Sequence, residues 1–176
     1  MDNKNISHSI LKKNSIIIIL LICILSITKI SGETKVLVNK KNINSDIIGT
    51  IEIKKINLKE QLYKKESKKN NIEENITILQ ESTYPSNENS ILIIAAHSGT
   101  GKIAYFERLD ELSTNDEIII TYNKKKYYYN VIDIFEEKKN GYININKEKK
   151  RQLVLTTCSP TKDNIQLIVN CIEKES

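Results

Sequence analysis

Cysteine is scarce in this chain, and its scarcity removes two architectures at once. Of the three cysteines, Cys23 lies in an apolar N-terminal run, which leaves Cys158 and Cys171 for the body. Two cysteines do not make a disulfide framework, and no CxxC or Cys/His spacing offers a zinc site. Histidine is scarcer still: beyond His8 near the N-terminus there is only His97, so any imidazole chemistry in the body must use it. An excess of positive charge is also missing where it would count. Residues 1–32 hold four lysines and one aspartate, so the +5 formal charge of the chain falls to +2 over the remainder. That balance argues against nucleic acid, whose binders gather positive charge on one face. Tryptophan is absent, and there are five glycines and two prolines against abundant Lys, Asn and Ile. Such a bias is typical of AT-rich coding sequence, and lysine pairs such as Lys64-Lys65 and Lys68-Lys69 read as solvated surface. No internal repeat is present.

The 176 residues suffice for one domain of ordinary size and a short appendage. Residues 1–14 are polar and basic, and Ile16–Leu25 form an unbroken apolar block within the candidate anchor 15–30. Between Lys13 and Lys29 lie 15 uncharged residues, roughly 22 Å of helix, short of a bilayer core about 30 Å thick. Counted from Ile10 to Ile30, with the lysine stems snorkelling, the span suffices marginally. No Ala-x-Ala-like cleavage site follows, so the pattern favours an uncleaved transmembrane anchor over a signal peptide. Lys12 and Lys13 place the N-terminus inside and the body outside, a single-pass topology at the cell membrane. Residues 31–47 then read as a stalk or packed arm.

From 48 to 176 the pattern is mainly β. Ile48–Ile53 and Ile56–Leu58 suggest two closely joined strands, and 64–75 a charged loop. Ile76–Leu79 resumes as strand, and Tyr84-Pro85-Ser86-Asn87 marks a turn. A continuous apolar strand, 90–97, ends at His97 and the loop Ser98-Gly99-Thr100-Gly101. Ala104–Leu112 reads as a short helix packed through Ala104, Phe106, Leu109 and Leu112. Strands at 116–122 and 127–135 flank a hairpin at Asn123–Lys126. A loop of about sixteen residues at 136–151 precedes the strand Leu153–Cys158, and a last strand covers 165–172.

Cys158 is the residue around which the chain is organised. Leu153-Val154-Leu155-Thr156-Thr157 runs into it, and Ser159-Pro160 stops the strand at once, since proline cannot donate to a ladder. The thiol therefore sits at a strand mouth, where a rigid sheet holds it and a substrate reaches it. His97 also ends an apolar strand at a turn, which suits two groups on the rim of one sheet. An adjacent imidazole activates a thiol or gives a proton to a leaving amine.

These residues carry a resemblance. Ile48-Gly49-Thr50-Ile51-Glu52-Ile53, Ala96-His97-Ser98-Gly99 and Leu155-Thr156-Thr157-Cys158 are similar to the opening strands, the His segment and the Thr-Leu-x-Thr-Cys motif of the sortases. Sortases are membrane-anchored cysteine transpeptidases of Gram-positive-type bacteria. The likeness runs from about Ile48 to Glu173, with Val154 replacing the motif's first threonine. It implies a closed eight-stranded β-barrel with short helices. It also implies that Cys158 attacks the Thr-Gly bond of an LPXTG-like sorting signal and that His97 protonates the departing amine. An amine of a peptidoglycan precursor or a pilin would then take the acyl group. Thr157 and Gln166 would hold substrate carbonyls or the oxyanion, with Ala96 and Ser98 beside the substrate.

One departure stands out. The family's arginine near the start of the last strand is missing, because Arg108 and Arg151 both precede Cys158. Gln166 takes its place, with Lys162 as the other candidate donor. Cys171 falls on the opposite strand face from Gln166 and reads as core. No cofactor is expected, although Glu73, Glu74, Glu136 and Glu137 would be the residues to echo the calcium site of some sortases. The competing class is a membrane-tethered module that kept the barrel and lost turnover.

Overall fold

The computed structural model describes residues 46–174. The tail and anchor expected at 1–14 and 15–30, and nearly all of the stalk, lie outside them. Eight strands follow in chain order: β1 Ile47–Ile53, β2 Leu58–Tyr63, β3 Thr77–Ile78, β4 Ile91–Ala95, β5 Glu117–Tyr122, β6 Lys125–Lys138, β7 Gln152–Cys158 and β8 Ile165–Glu173. They form one sheet in the order β2-β1-β5-β6-β8-β7-β4-β3. The sheet curls until β2 and β3 touch. No ladder joins these two edges, so the barrel expected to be closed is nearly closed. The physical reason is the brevity of β3, whose two residues spend their ladder bonds on β4.

Alternation along each strand decides what lies inside. Ile51 and Ile53 of β1, Leu92 and Ile94 of β4, Leu153 and Leu155 of β7, and Leu167, Val169 and Cys171 of β8 join one buried cluster. Their neighbours in sequence therefore face outward. All pairings are antiparallel except β4 with β7, where Ile91 pairs with Gln152 and Ala95 with Thr156. β6 carries a bulge between Val131 and Asp133. Tyr127, Tyr129 and Val131 point inward before it, and Ile134 packs on the core after it, so the inward parity changes from odd to even.

Gly49 admits the close approach of β1 to β5. A Cβ there would stand 1.7 Å from the carbonyl oxygen of Thr121. The β5–β6 turn is tighter than the four residues expected. Asn123 and Lys124, with φ of 48° and 68°, make a two-residue turn, so Lys125 and Lys126 belong to the strand. Two other expectations need correction. The second strand begins at Leu58 rather than Ile56, because Lys54–Ile56 coil into a 3₁₀ turn closed by left-handed Asn57. The helix expected over Ala104–Leu112 is a chain of turns ending in the 3₁₀ segment Leu109–Glu111. The backbone bonds there skip three residues, as in Glu107 N–H to Ala104 and Leu109 N–H to Phe106. The buried side chains Phe106, Leu109 and Leu112 are spaced by three, the period of a 3₁₀ rather than an α-helix.

Candidate active site

The parallel register between β4 and β7 sets the site. Two residues beyond the pair Ala95–Thr156 stand His97 and Cys158, and Ala96 N–H still bonds to Thr156 carbonyl at 3.3 Å. Both side chains thus emerge at one level of adjacent chains, on the outer face. Cys158 pairs across β7–β8 with Gln166, and Gln166 pairs across β8–β6 with Glu137. His97, Cys158, Gln166 and Glu137 therefore form a single row across four neighbouring chains, each step about 5 Å. His97, Cys158 and Gln166 line a cavity of about 340 Å³, together with Ala95, Thr156 and the apolar side chains Ile72, Leu79 and Ile143.

Cys158 is partly exposed, as its place at the end of β7 requires. Cys171 is fully buried, and burial pushes its thiol far up from the ordinary range. Of these two cysteines, only Cys158 is open to a reagent. The Nε2 atom of His97 lies 3.8 Å from Glu73 Oε2, too far for a hydrogen bond, and has no hydrogen-bond partner among the described residues. The loop after His97 is held back on the sheet by Phe106 N–H, which donates to the His97 carbonyl at 3.0 Å.

The remaining expected residues divide. Thr157 has the opposite parity to Cys158, and its buried hydroxyl donates to the Ala96 carbonyl at 2.8 Å. That bond fastens the residue before the thiol to the residue before the imidazole, so the hydroxyl proton expected for a substrate carbonyl is used within the fold. Ala96 is buried and lines the cavity, whereas Ser98 does not line it. Gln166 lies beside Cys158 as expected, but its amide donates to Glu137 Oε1 at 3.0 Å and to the Tyr142 carbonyl at 2.9 Å. Glu137 also accepts from the Asn144 side chain, so Gln166 and Glu137 together pin the 139–151 loop. Buried Gln152 holds the far end of that loop through the backbone of Asn146 and Glu148.

Lys162 does not approach the thiol; it pairs with Glu136, whose carboxyl this ammonium and Ser159 hold below the usual range. Neither arginine is near. Arg108 pairs with Glu111, and Arg151, at the opposite end of β7, clamps Glu173 and the Pro85 carbonyl. The cation that does reach Cys158 is one that sequence reasoning missed. Lys139 Nζ lies 2.8 Å from Cys158 Sγ. In a lysine-rich loop nothing marked it. Among the described residues no group of three or more His, Cys, Asp or Glu side chains is arranged to hold a metal ion. Of the four glutamates named above, Glu136 pairs with Lys162 and Glu137 accepts from Gln166.

Residues 51–173 match the model of the sortase domain. The chain belongs to the sortase family. No curated protein matches it, but many solved structures do. Sortase C of Streptococcus pneumoniae is similar over 75% of this chain and 70% of its own, with 22% identity and a TM-score of 0.66. Sortase C1 of Streptococcus agalactiae shares 26% identity over 77% and 71%, with a TM-score of 0.65. A lid mutant of sortase A from Corynebacterium diphtheriae shares 22% over 78% and 75%, with a TM-score of 0.66. Two sortase classes are thus represented, and the sortase-type barrel, rather than either class, is what the likeness shows.

Proposed function

We propose that this sortase is an active cysteine transpeptidase that cleaves an LPXTG-like sorting signal and passes the acyl group to an amine. The observation that carries the proposal is the row at the barrel rim. An accessible thiol and an imidazole whose Nε2 has no hydrogen-bond partner among the described residues stand at one register level over a cavity with apolar walls. Cys158 Sγ attacks the carbonyl carbon between the last two residues of the signal, and the carbonyl electrons move to oxygen. When the tetrahedral species collapses, the C–N bond breaks, the amine leaves with a proton from His97, and a thioester remains on Cys158. An incoming amine then attacks the thioester, gives its proton to His97 and frees the thiol. The apolar side of the cavity suits the leucine and proline of such a signal.

The acceptor in this proposal is an amine of a peptidoglycan precursor or a pilin, and the substrates are proteins with a C-terminal sorting signal. The body works outside the cell, held at the membrane by 15–30. The test is intact mass measurement of the full-length protein after incubation with a panel of sorting peptides, with and without oligoglycine. The expected result is an acyl adduct on Cys158 that disappears as the transfer product forms. If no peptide acylates Cys158, the transpeptidase reading fails. One observation favours the second reading, a binding module without turnover: the amide of Gln166 is already committed to Glu137 and Tyr142. That reading expects peptide binding by calorimetry with no adduct.

A further inference from the structure

We propose that Lys139 is a catalytic residue of this site, the cation that stabilises the Cys158 thiolate and then the oxyanion formed from the substrate carbonyl. The inference rests on the transpeptidase reading for its second half and on geometry alone for its first. Lys139 Nζ lies 2.8 Å from Cys158 Sγ, close enough to donate to it. The lysine follows β6 directly, and its backbone is fixed where it emerges, with Lys139 N–H donating to the Asn164 carbonyl at 3.0 Å. It stands two residues past Glu137 and therefore on the same outer face, above the row that holds the thiol. Its backbone is held by the ends of β6 and β8, and its exposed side chain reaches the thiol from there.

The other candidates for this duty are occupied. Lys162 is paired with Glu136, both N–H groups of the Gln166 amide are used, and Arg151 belongs to the opposite end of β7. An ammonium at hydrogen-bond distance favours the thiolate, which is the nucleophile. Attack places the new oxyanion on the carbon bonded to that same sulfur. A lysine, a compact charge on a flexible stem, can follow the negative charge across so short a distance. Lys139 gains and loses no proton in the cycle. Its ammonium is shared between sulfur and oxygen while His97 handles the amine's proton.

The experiment compares wild type, Lys139→Met, Lys139→Arg and Lys162→Met by two readouts. The first is the rate of Cys158 alkylation by uncharged iodoacetamide as a function of pH. The other titratable groups facing the cavity are His97 and Tyr142, with Glu73 3.8 Å from the imidazole and Glu137 bonded to Gln166. All four proteins keep these groups, so only the lysine changes. Lys139→Met should be alkylated about tenfold more slowly than wild type near neutral pH. Lys139→Arg should retain most of the wild-type rate, and Lys162→Met should match wild type. The second readout is kcat/KM for peptide transfer, expected to fall about 10- to 100-fold in Lys139→Met. Identical alkylation profiles in wild type and Lys139→Met overturn the proposal whatever the turnover. A wild type that transfers no peptide overturns the transpeptidase reading and the oxyanion role, while the alkylation profile still decides the pairing with the thiolate.

Discussion

Replacing Thr157 by valine tests whether the rim of this barrel is held by a single side-chain bond. Valine keeps the shape of threonine and exchanges the hydroxyl for a methyl, so the 2.8 Å bond to the Ala96 carbonyl is lost. Both residues are buried, with Ala96 at 2% and Thr157 at 6% exposure. The loss is therefore not made good by bulk water. A neutral bond contributes about 1 kcal/mol, and a buried acceptor left without its partner raises the cost to about 1–3 kcal/mol. For a folded unit of this size each kcal/mol moves Tm by about 3–5 °C, so a fall of about 3–15 °C is expected by circular dichroism. Activity should suffer beyond this loss of stability. Thr157 immediately precedes the nucleophile and Ala96 immediately precedes the imidazole, so loosening the tie misplaces the two groups relative to each other. At a temperature where the variant is fully folded, kcat/KM for peptide transfer should fall about 10-fold or more. Thr157→Ser, which keeps the hydroxyl, should regain most of both losses. An unchanged Tm in Thr157→Val would refute the tie. A lowered Tm with wild-type kcat/KM would refute its connection to the site.

Other consequences can be measured directly. Gly49→Ala forces a methyl against the Thr121 carbonyl oxygen across β1–β5, and urea unfolding should show a loss of about 3 kcal/mol or more; a loss below about 1 kcal/mol would mean the strands separate freely. A charged methanethiosulfonate reagent should label the folded protein at Cys158 and spare Cys171, which is fully buried and held protonated. Equal labelling of the two would contradict the assignment of the nucleophile. Gln166→Ala removes the bond to the Tyr142 carbonyl that ties the 139–151 loop to β8, and the bond to Glu137 of β6, so limited proteolysis should cut near Tyr142 several-fold faster; an unchanged rate would leave Gln166 to the role first expected of it, a donor to the substrate carbonyl or the oxyanion.

The strand mouths were legible because apolar runs stop abruptly at Cys158 and at His97. Burial on both faces of a central strand writes itself as a continuous run, and proline or glycine marks its end. That the two mouths lie side by side was not legible, since their pairing joins Ile91 to Gln152 and no local pattern encodes so distant a partner. The place of Gln166 beside the thiol followed correctly from the alignment of the last strand. Its commitment to Glu137 and Tyr142 did not, because hydrogen-bond partners across strands depend on register. Thr157 shows what strand parity alone supplies: a residue adjacent to an outward nucleophile must point inward. The Ala104–Leu112 segment misled because its apolar spacing of three fits a 3₁₀ turn nearly as well as one face of an α-helix. Lys139 left no mark at all, since one lysine among many is distinguished only by where its backbone is fastened.

The bulge between Val131 and Asp133 is a place where β6 could lose a residue without losing its register on β8. Upstream of it the odd-numbered residues Tyr127, Tyr129 and Val131 face the core; downstream Ile134 packs on it. Deleting Ile132 would leave the hairpin ladder from Glu117 to Asn130 in place and would turn the bulge into regular ladder, with Val131 still opposite Cys171 and Asp133 opposite Asn170. Glu137 would stay opposite Gln166, and Lys139 would keep its place above the thiol. The extra residue therefore governs how β6 bends and twists on its way to the site, and a single-residue deletion there is expected to spare the row of side chains at the nucleophile.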